Sequence, residues 1–290
     1  MTLEQLRIFV AVAGELHVTR AAEALGITQS AASAAVAALE ARHAIKLFDR
    51  VGRGIELSGA GRAFLPEAKE VLARAELAIQ SLDDLAGLRR GVVTIHASQT
   101  IATYWLPKRI VQFRKSYPQI EVRLAIGNTA QVAKAVREGE VELGFIEGAI
   151  QEPSLERVRV DVDRLLIVAA PDHPWANGSP VAASDLWRGP WVLREPGSGT
   201  RSEFEHAVEE FGTPADVLNI ALEMPTNESV VGAVGAGGLV TAISELVVAP
   251  LLEIGTLKRV AFDLPERTLE LLRHRERHRS RAAAVFVAML

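Results

Sequence analysis

Apolar residues in the first sixty positions recur at helical spacing and outline short helices. In the first helix they repeat every three or four residues, at Leu3, Leu6, Phe9, Val10 and Ala13. Thr2 and Gln5 form a capping box ahead of it. A second segment starts at Thr19 and ends at Gly26, which tolerates the left-handed backbone of a tight turn, and Thr28 can cap the third. Short helices joined by a glycine-containing turn predict a helix-turn-helix motif.

The third helix, within GITQSAASAAVAALE, is polar at its front and apolar at its back. Small and hydroxylated side chains occupy its first turns, whereas Val36 and Leu39 are spaced to pack against the preceding helices. Two short extended pieces, Leu47–Arg50 and Ile55–Leu57, follow on either side of the turn VGRG. We expect them to pair as a small wing that carries two arginines.

A heptad pattern runs from Ser58 to about Leu88 and predicts one long helix. Its apolar residues step by three and four along one face, and the seam includes Leu65, Leu72, Ile79 and Leu82. A lone helix of this length has no core that covers the seam, so we expect it to dimerise with the same helix of a second copy. The alternative is that the seam packs against the body of its own chain.

After GLRRG, short β-branched runs alternate with helical stretches. Strands are predicted at VVTIHA, IEVRLAI, VELGFIEG, RLLIVAA, WVLRE, NIALEM and LVTAIS. This alternation predicts an α/β fold with parallel strands and helices on both faces, and VDVDRLLIVAAP suits a crossover between two lobes. The predicted parts are a winged helix-turn-helix (1–58), a linker helix (59–89) and a two-lobed α/β domain (90–290), with lobe I at about 90–162 and 264–290 and lobe II at about 163–263.

Composition and charge exclude several classes of protein. The chain has 290 residues, 49% of them hydrophobic and 23% charged, which is typical of a globular protein. Because it has no cysteines, it forms no disulfides or thiolate metal sites, and its histidines lack metal-ligand spacing. The net charge of −4 confines any nucleic-acid site to a local basic patch. Without a signal peptide or a membrane-length apolar run, we expect a cytoplasmic protein with no membrane partner.

The polar front of the third helix carries side chains that can recognise bases in the major groove. Gln can form two hydrogen bonds with adenine, Ser and Thr can contact several bases, and Ala or the Thr methyl group can meet the thymine methyl. Arginines on the wing and second helix are placed to meet phosphates, which position a protein without reading sequence. The alternative is an ordinary alanine-rich bundle helix. The candidate DNA-binding residues are Arg20, Thr28, Gln29, Ser30, Ala32, Ser33, Arg50 and Arg53.

The N-terminal region resembles the winged helix-turn-helix of LysR-type transcriptional regulators. The resemblance rests on LEQLRIFVAVAGELHVTRAAEALGITQSAASAAVAALE and LFDRVGRGIELSGAGRAFLPEA, and the order of the following parts extends it over the whole chain. It implies a homodimer or homotetramer that binds double-stranded promoter DNA at an inverted repeat. It also implies a small effector held between two lobes like those of periplasmic binding proteins, and it leaves contact with RNA polymerase open.

Three stretches of the α/β domain lie where a strand gives way to a helix: ASQTIATYWLP, GNTAQ and EPGSGTR. Ligands of open α/β sheets bind beyond the carboxyl ends of the strands, and helix N-termini attract anions. Hydroxyl and amide donors there suit a small oxyanion, although the same residues also suit ordinary helix caps. The candidate effector-binding residues are Ser98, Thr100, Asn128, Thr129, Gln131, Glu147, Ser198, Thr200 and Arg201.

A narrower resemblance is to the CysL and YeiE branch of LysR regulators, which is associated with sulfite and sulfur metabolism. It is carried by the same three stretches together with ELGFIEG. In related sulfur regulators a sulfate-like anion lies against hydroxyls that correspond to Ser98, Thr100, Ser198 and Thr200. The resemblance therefore implies a sulfite- or sulfate-like effector, with an organic metabolite as the alternative. Glu147 would repel such an anion unless it pairs with Arg201 or another cation.

Two other classes of function compete with a regulator. The α/β domain alone would suit a solute-binding protein, but the N-terminal sixty residues oppose that interpretation. An enzyme would need a convergent set of acid, base, nucleophile or metal ligands, which the sequence does not show. Ser198, for example, lacks the G-x-S-x-G elbow of serine hydrolases. We therefore expect no catalytic residues, no metal and no cofactor.

Overall fold

A computed structural model describes residues 1–52, 54–85, 91–277 and 279–290. Within these ranges the chain forms two compact units, one N-terminal and one C-terminal. No helix in the described part of the chain combines the length and apolar character that a membrane span requires.

The N-terminal unit consists of three short helices, a two-stranded wing and one long helix. Its elements are α1 (Leu3–Glu15), α2 (Val18–Leu25), α3 (Gln29–His43), β1 (Phe48–Val51), β2 (Gly54–Leu57) and α4 (Gly59–Leu85). The two strands of the wing pair antiparallel. The second helix and both strands begin within one residue of their predicted positions.

Local side-chain contacts define the ends of these helices, as the sequence predicts. Thr2 and Gln5 exchange the two hydrogen bonds of a capping box at the start of α1. Gly26 ends α2 with a left-handed backbone, at φ 67°. The Thr28 hydroxyl accepts a hydrogen bond of 3.2 Å from the Ala31 N–H and so caps α3.

Two apolar clusters form the core of this unit. The first contains Leu6, Phe9, Leu39, Leu47 and Ala68, and the second contains Ile8, Val12, Ala21, Ala22 and Ala32. Val36 packs against the second cluster, and Phe48 of the wing touches both. The predicted packing role of Val36 and Leu39 is confirmed, and the wing is attached to the helices through an aromatic side chain.

The first half of α4 contributes its apolar seam to that core. Leu65 and Leu72 pack against the cluster around Phe9. This part of the seam therefore follows the alternative interpretation, in which the seam packs against the body of its own chain. Ile79 is 60% exposed, and the side chain of Leu82 is outside the described part of the chain. Dimerisation through the second half of α4 therefore stays a prediction.

The C-terminal unit contains eight strands and six α-helices within the described residues. The strands are β3 (Gly91–Ser98), β4 (Ile120–Gly127), β5 (Leu143–Glu147), β6 (Leu155–Ala169), β7 (Trp191–Arg194), β8 (Ile220–Met224), β9 (Val240–Ser244) and β10 (Lys258–His274). The helices are α5 (Leu106–Ser116), α6 (Thr129–Glu138), α7 (Gly199–Glu210), α8 (Asn227–Gly235), α9 (Glu245–Glu253) and α10 (Arg281–Val287). A π-helical turn, Ile101–Trp105, precedes α5.

All eight strands belong to one mixed sheet, in the order β4-β3-β5-β10-β6-β9-β7-β8. β3 pairs in parallel with β4 and β5, and β7 pairs in parallel with β8 and β9. β6 and β10, however, run antiparallel to each other and lie at the centre. The prediction of parallel strands thus holds at the two ends of the sheet and is wrong at its middle.

The two central strands explain how one sheet serves two lobes. β6 has 15 residues and β10 has 17, which at about 3.3 Å per residue is roughly 50 Å of strand and enough to pass through both lobes. Separate apolar clusters flank them, one around Phe145 and Phe286 in lobe I and one around Trp191 and Phe204 in lobe II. The carboxyl ends of the parallel strands face each other between these clusters.

Candidate functional site

The front of α3 presents a row of polar side chains. Thr28, Gln29 and Ser30 are exposed, and Ser33 is partly exposed one turn farther along. The Thr28 and Ser30 hydroxyls lie 3.0 Å apart, and Gln29 Nε2 donates to Ser33 Oγ at 2.9 Å. The four side chains thus form two hydrogen-bonded pairs at the accessible start of α3, and their donors and acceptors are of the types that can read base edges.

Ala32 does not belong to this face. It is fully buried in the second apolar cluster, beside Val12 and Ala21. The reason is helical periodicity, since Ala32 and Val36 are four residues apart and lie on the inner stripe of α3. The prediction that Ala32 contacts bases is therefore wrong, and its small side chain instead allows α3 to approach α1 and α2.

The basic residues near α3 differ in their surroundings. Arg20 donates to the Glu15 carbonyl at 2.8 Å and lies 3.4 Å from the Glu15 carboxylate, with 61% of its side chain exposed. Arg50 is exposed on β1, opposite Ile55. Arg53 lies outside the described residues. A groove of about 440 Å³ separates α3 from the wing, and Ser33 and Arg50 both line it.

In the C-terminal unit, the predicted hydroxyl residues converge on Glu147. This glutamate ends β5 and is 2% exposed. Ser98, at the end of β3, donates a short hydrogen bond to one carboxylate oxygen, and the Thr200 hydroxyl lies 3.5 Å from the other. Thr129 donates to the Glu147 backbone carbonyl at 2.6 Å. One buried glutamate therefore contacts residues from all three predicted stretches, two through its carboxylate and one through its backbone carbonyl.

Arg267, not Arg201, is the cation nearest to Glu147 among the described residues. Its guanidinium lies 3.9 Å from the Glu147 carboxylate and donates to the Thr200 hydroxyl at 3.1 Å. Arg201 points elsewhere and forms ion pairs of 2.7 Å with Glu205 and Glu223. The expectation that Glu147 needs a cationic partner is met, but by a residue that the sequence analysis did not single out.

Arg267 is itself bound more closely to a second carboxylate. Two of its nitrogens donate to the same Asp163 oxygen at 2.7 and 2.9 Å, and the two residues are opposite each other on β10 and β6. Ser244 donates to the other Asp163 oxygen at 2.9 Å. Arg267 and Asp163 side chains are only 1% and 2% exposed. This buried group therefore holds two carboxylates and one guanidinium.

A second set of polar contacts connects Thr100 to lobe II. The Asn227 side chain donates to the Thr100 hydroxyl at 3.1 Å and accepts from Arg194 at 2.7 Å. Gln99 accepts from the Asn227 N–H at 2.8 Å and donates to Glu228 at 2.7 Å. The start of α8 is therefore a fourth strand–helix junction at the cleft, which the sequence analysis missed.

The GNTAQ stretch acts mainly as a helix cap. Asn128 and Gln131 exchange two hydrogen bonds, of 2.9 and 3.0 Å, across the first turn of α6. The Asn128 amide also donates to Glu195 at 3.1 Å. Ser198 is the residue before α7 and is 3% exposed, yet its side chain makes no capping hydrogen bond. Its hydroxyl therefore differs from those that cap the neighbouring helices.

The lobes approach each other closely at Gly199. A Cβ atom on this residue would lie 1.9 Å from the Glu147 carbonyl oxygen and 2.6 Å from the Thr129 hydroxyl. Because no side chain fits there, glycine is what allows the N-terminus of α7 to reach the end of β5. The hydroxyl-lined site is closed on this side by backbone contact.

Comparison with known proteins identifies the family. A model of the bacterial regulatory helix-turn-helix protein, lysR family, matches residues 3–62. A model of the LysR substrate binding domain matches residues 86–290. The chain belongs to the LysR family. It is therefore a LysR-type transcriptional regulator with a DNA-binding motif and an effector-binding domain, and its relatives are regulators and not enzymes.

Individual relatives cover nearly the whole chain. The uncharacterized HTH-type transcriptional regulator YeiE of Escherichia coli K12 is 37% identical over 99% of this chain and 96% of its own length. A probable RuBisCO transcriptional regulator of Cyanophora paradoxa is 31% identical over 98% and 90%. The match to YeiE agrees with the YeiE part of the narrower resemblance within the LysR regulators.

Solved structures share the fold at lower identity. A full-length OxyR variant from Pseudomonas aeruginosa superposes with a TM-score of 0.71 at 23% identity, covering 100% of this chain and 94% of its own. Full-length CbnR complexed with its target DNA gives a TM-score of 0.70 at 22% identity, covering 100% and 98%. These likenesses confirm the predicted architecture of a helix-turn-helix and a two-lobed α/β domain.

Proposed function

We propose that this regulator binds promoter DNA as a homo-oligomer and responds to a small oxyanion that keeps a proton, with sulfite as the leading candidate. The observation that carries the effector proposal is the convergence of the Ser98 and Thr200 hydroxyls on the buried Glu147 carboxylate. An oxyanion can take the place of that carboxylate as acceptor for the two hydroxyls, while Ser198 and Arg267 supply further donors.

Glu147 sets the charge that the ligand must have. Arg267 is already bonded to Asp163 at 2.7 Å, so it only partly compensates Glu147 at 3.9 Å. A fully deprotonated dianion such as sulfate would meet a carboxylate whose charge is only partly compensated, in a buried site. An oxyanion that retains a proton can instead donate a hydrogen bond from its O–H group to the Glu147 carboxylate. Sulfite is partly protonated near neutral pH and sulfate is not, so the site should prefer sulfite.

Calorimetric titration of the full-length protein with sulfite, sulfate, thiosulfate and phosphate tests this proposal. We expect saturable binding of sulfite, weak or absent binding of sulfate, and loss of sulfite binding in Ser98→Ala and Thr200→Ala. Glu147→Gln removes the repulsive charge and provides an amide donor, so this variant should gain affinity for sulfate. Phosphate is the informative competitor because it too carries a proton near neutral pH.

Two outcomes would redirect the search for the effector. Equal binding of sulfite and sulfate by the wild-type protein would show that Glu147 does not select the ligand. Binding of none of the four anions would favour the alternative, an organic metabolite. In either case the assignment as a DNA-binding regulator is unaffected, because it rests on the family and not on the ligand.

For DNA, we propose that the exposed side chains on α3 read bases and that Arg50 contacts a phosphate. Gln29→Ala or Ser33→Ala should reduce the preference for a selected duplex over a scrambled one by about 1–3 kcal/mol. Arg50→Ala should weaken binding to the selected duplex and to the scrambled duplex by the same factor. If Gln29→Ala leaves the preference unchanged, the base-reading role of Gln29 is wrong.

A further inference from the structure

Glu40 is a buried carboxylate near the C-terminal end of the recognition helix α3. It is 8% exposed, and three donors from the start of the wing surround it. One oxygen accepts from the backbone N–H groups of Leu47 and Phe48, at 2.8 and 3.3 Å, and the other accepts from Lys46 Nζ at 2.8 Å. The recognition helix is thus tied directly to the chain segment 46–48.

Ser58 holds the same segment from the opposite side. Its hydroxyl donates to the Lys46 carbonyl at 2.6 Å and accepts from the Gly61 N–H at 2.9 Å, and its backbone N–H donates to the Leu47 carbonyl at 3.0 Å. A Cβ atom on Gly61 would lie 2.1 Å from the Leu47 carbonyl oxygen, so α4 packs closely against segment 46–48. Segment 46–48 is therefore fixed between α3 and α4.

The wing needs such an attachment because it is only a pair of four-residue strands. Isolated two-stranded hairpins are marginally stable, so the position of the wing depends on what holds its base. β1 begins at Phe48, within the held segment, and Arg50 follows two residues later on the same side of the strand. Glu40, Lys46 and Arg50 also line the groove of about 440 Å³ between α3 and the wing.

We propose that Glu40 is a positioning residue for DNA binding: through segment 46–48 it sets the place of Arg50 relative to the base-reading face of α3. The inference rests on the proposed contact between Arg50 and a phosphate. The proposal gives Glu40 no DNA contact of its own, since three donors of segment 46–48 occupy its carboxylate. Its replacement should therefore alter the electrostatic part of binding, and it should do so only while Arg50 is present.

The salt dependence of binding separates this role from a general loss of stability. The probe is a duplex that the wild-type protein selects from a random library, with a scrambled duplex beside it, titrated with full-length protein at a series of NaCl concentrations. The slope of log K against log salt is negative, and each lost phosphate contact reduces its magnitude by about 1 per protomer. We expect Arg50→Ala and Glu40→Ala each to produce that change on both duplexes. The double variant should show no further change.

Two further variants keep the test decisive. Glu40→Gln retains an acceptor oxygen for the Leu47 and Phe48 N–H groups, so its slope should lie close to wild type. Glu67→Gln removes a carboxylate from an exposed position on α4 and controls for net charge. If Glu40→Ala does not fold, Ser58→Ala tests the same attachment from the other side and should reduce the magnitude of the slope in the same way.

The outcomes distinguish this inference from the proposal on which it rests. If Arg50→Ala leaves the slope unchanged, the phosphate role of Arg50 fails. If Arg50→Ala reduces the magnitude of the slope but folded Glu40→Ala and Ser58→Ala do not, the positioning role of Glu40 fails while the DNA contact stands. Additive slope changes in the double variant would also overturn it, because Glu40 would then act independently of Arg50.

Discussion

At the scale of single residues, the charges inside this regulator are stabilised by two different arrangements. Asp163 and Arg267 form a buried ion pair in which both side chains are almost fully enclosed. Glu40 instead takes most of its hydrogen bonds from backbone N–H groups. Burial raises the pKa of the Glu40 carboxyl group, but hydrogen bonds from Lys46 and from the Leu47 and Phe48 N–H groups outweigh it and hold the pKa below its usual value.

Asp163→Ala should strongly destabilise the C-terminal unit. It leaves the Arg267 guanidinium buried without its closest partner, and removal of one member of a buried pair costs about 3–5 kcal/mol. Chemical unfolding of the full-length protein measures this effect. The matched control is Asp263→Ala, which breaks a pair with Arg259 at an aspartate that is 89% exposed and should cost less than about 1 kcal/mol. Equal effects would contradict the importance of burial.

Glu40→Gln should lower the melting temperature at neutral pH and lose that effect in acid. The pKa of Glu40 is lowered in the folded state. Its charge therefore contributes fully to the free energy of unfolding above the pKa of a glutamate in the unfolded chain, about 4.3, and this contribution disappears as the pH falls through the pKa of the folded state. Melting curves of both proteins from pH 7 to pH 3 should therefore converge. A difference that persists unchanged at low pH would mean that charge is not the cause.

At the scale of secondary structure elements, the closest approaches are made by glycines at helix starts. Gly61 allows α4 to meet the Leu47 carbonyl, and Gly199 allows α7 to meet the Glu147 carbonyl. The first contact holds the residue just before β1, the strand that carries Arg50, and the second holds the end of β5, which carries Glu147. Tight packing at these points therefore supports the wing in one unit and the effector site in the other.

Gly199→Ala should destabilise the C-terminal unit and weaken effector binding together. The added Cβ atom would lie 1.9 Å from the Glu147 carbonyl oxygen, so α7 must move away from β5, and overpacking of this kind costs about 1–3 kcal/mol. Gly232→Ala, in α8, adds the same atom where no other atom lies within 4 Å and is the control. Thermal melting and sulfite titration of both variants provide the comparison.

At the scale of the whole molecule, the mixed sheet ends in two edge strands that expose apolar side chains. On β4, Leu124 and Ile126 are 37% and 58% exposed, and on β8, Ile220 and Leu222 are 37% and 40% exposed. Exposed apolar edges are places where chains associate. The proposed homo-oligomer can cover both if the β4 edge of one copy meets the β8 edge of the next in a two-fold arrangement.

Ile126→Asp and Leu222→Asp should each shift the protein toward smaller assemblies. A charge placed in an apolar contact between copies must be desolvated without a partner, which weakens association. Analytical ultracentrifugation over a range of concentrations measures the change. Ile254→Asp, at a residue that is 74% exposed beyond the end of α9, is the control. If all three variants sediment like the wild type, the edge strands do not form the interface.

The sequence by itself determined those features that depend on neighbouring residues. The caps at Thr2 and Thr28, the left-handed turn at Gly26 and the start of the wing follow from side-chain chemistry within a few positions, so they could be predicted. The strands β3 to β9 and the helices between them were equally accessible, because periodicity is local. Convergence of Ser98, Glu147 and Thr200 followed from the rule for strand ends in α/β sheets.

Only the tertiary structure decided the contacts between residues distant in the chain. Asp163 and Arg267 are 104 positions apart, and their pairing depends on the antiparallel register of β6 and β10, which no local pattern specifies. Glu40 appears in sequence as one more polar residue of a helix, and its role follows from burial against a segment that folds back onto it. Local chemistry therefore specified the elements, while packing selected which of their polar residues act together.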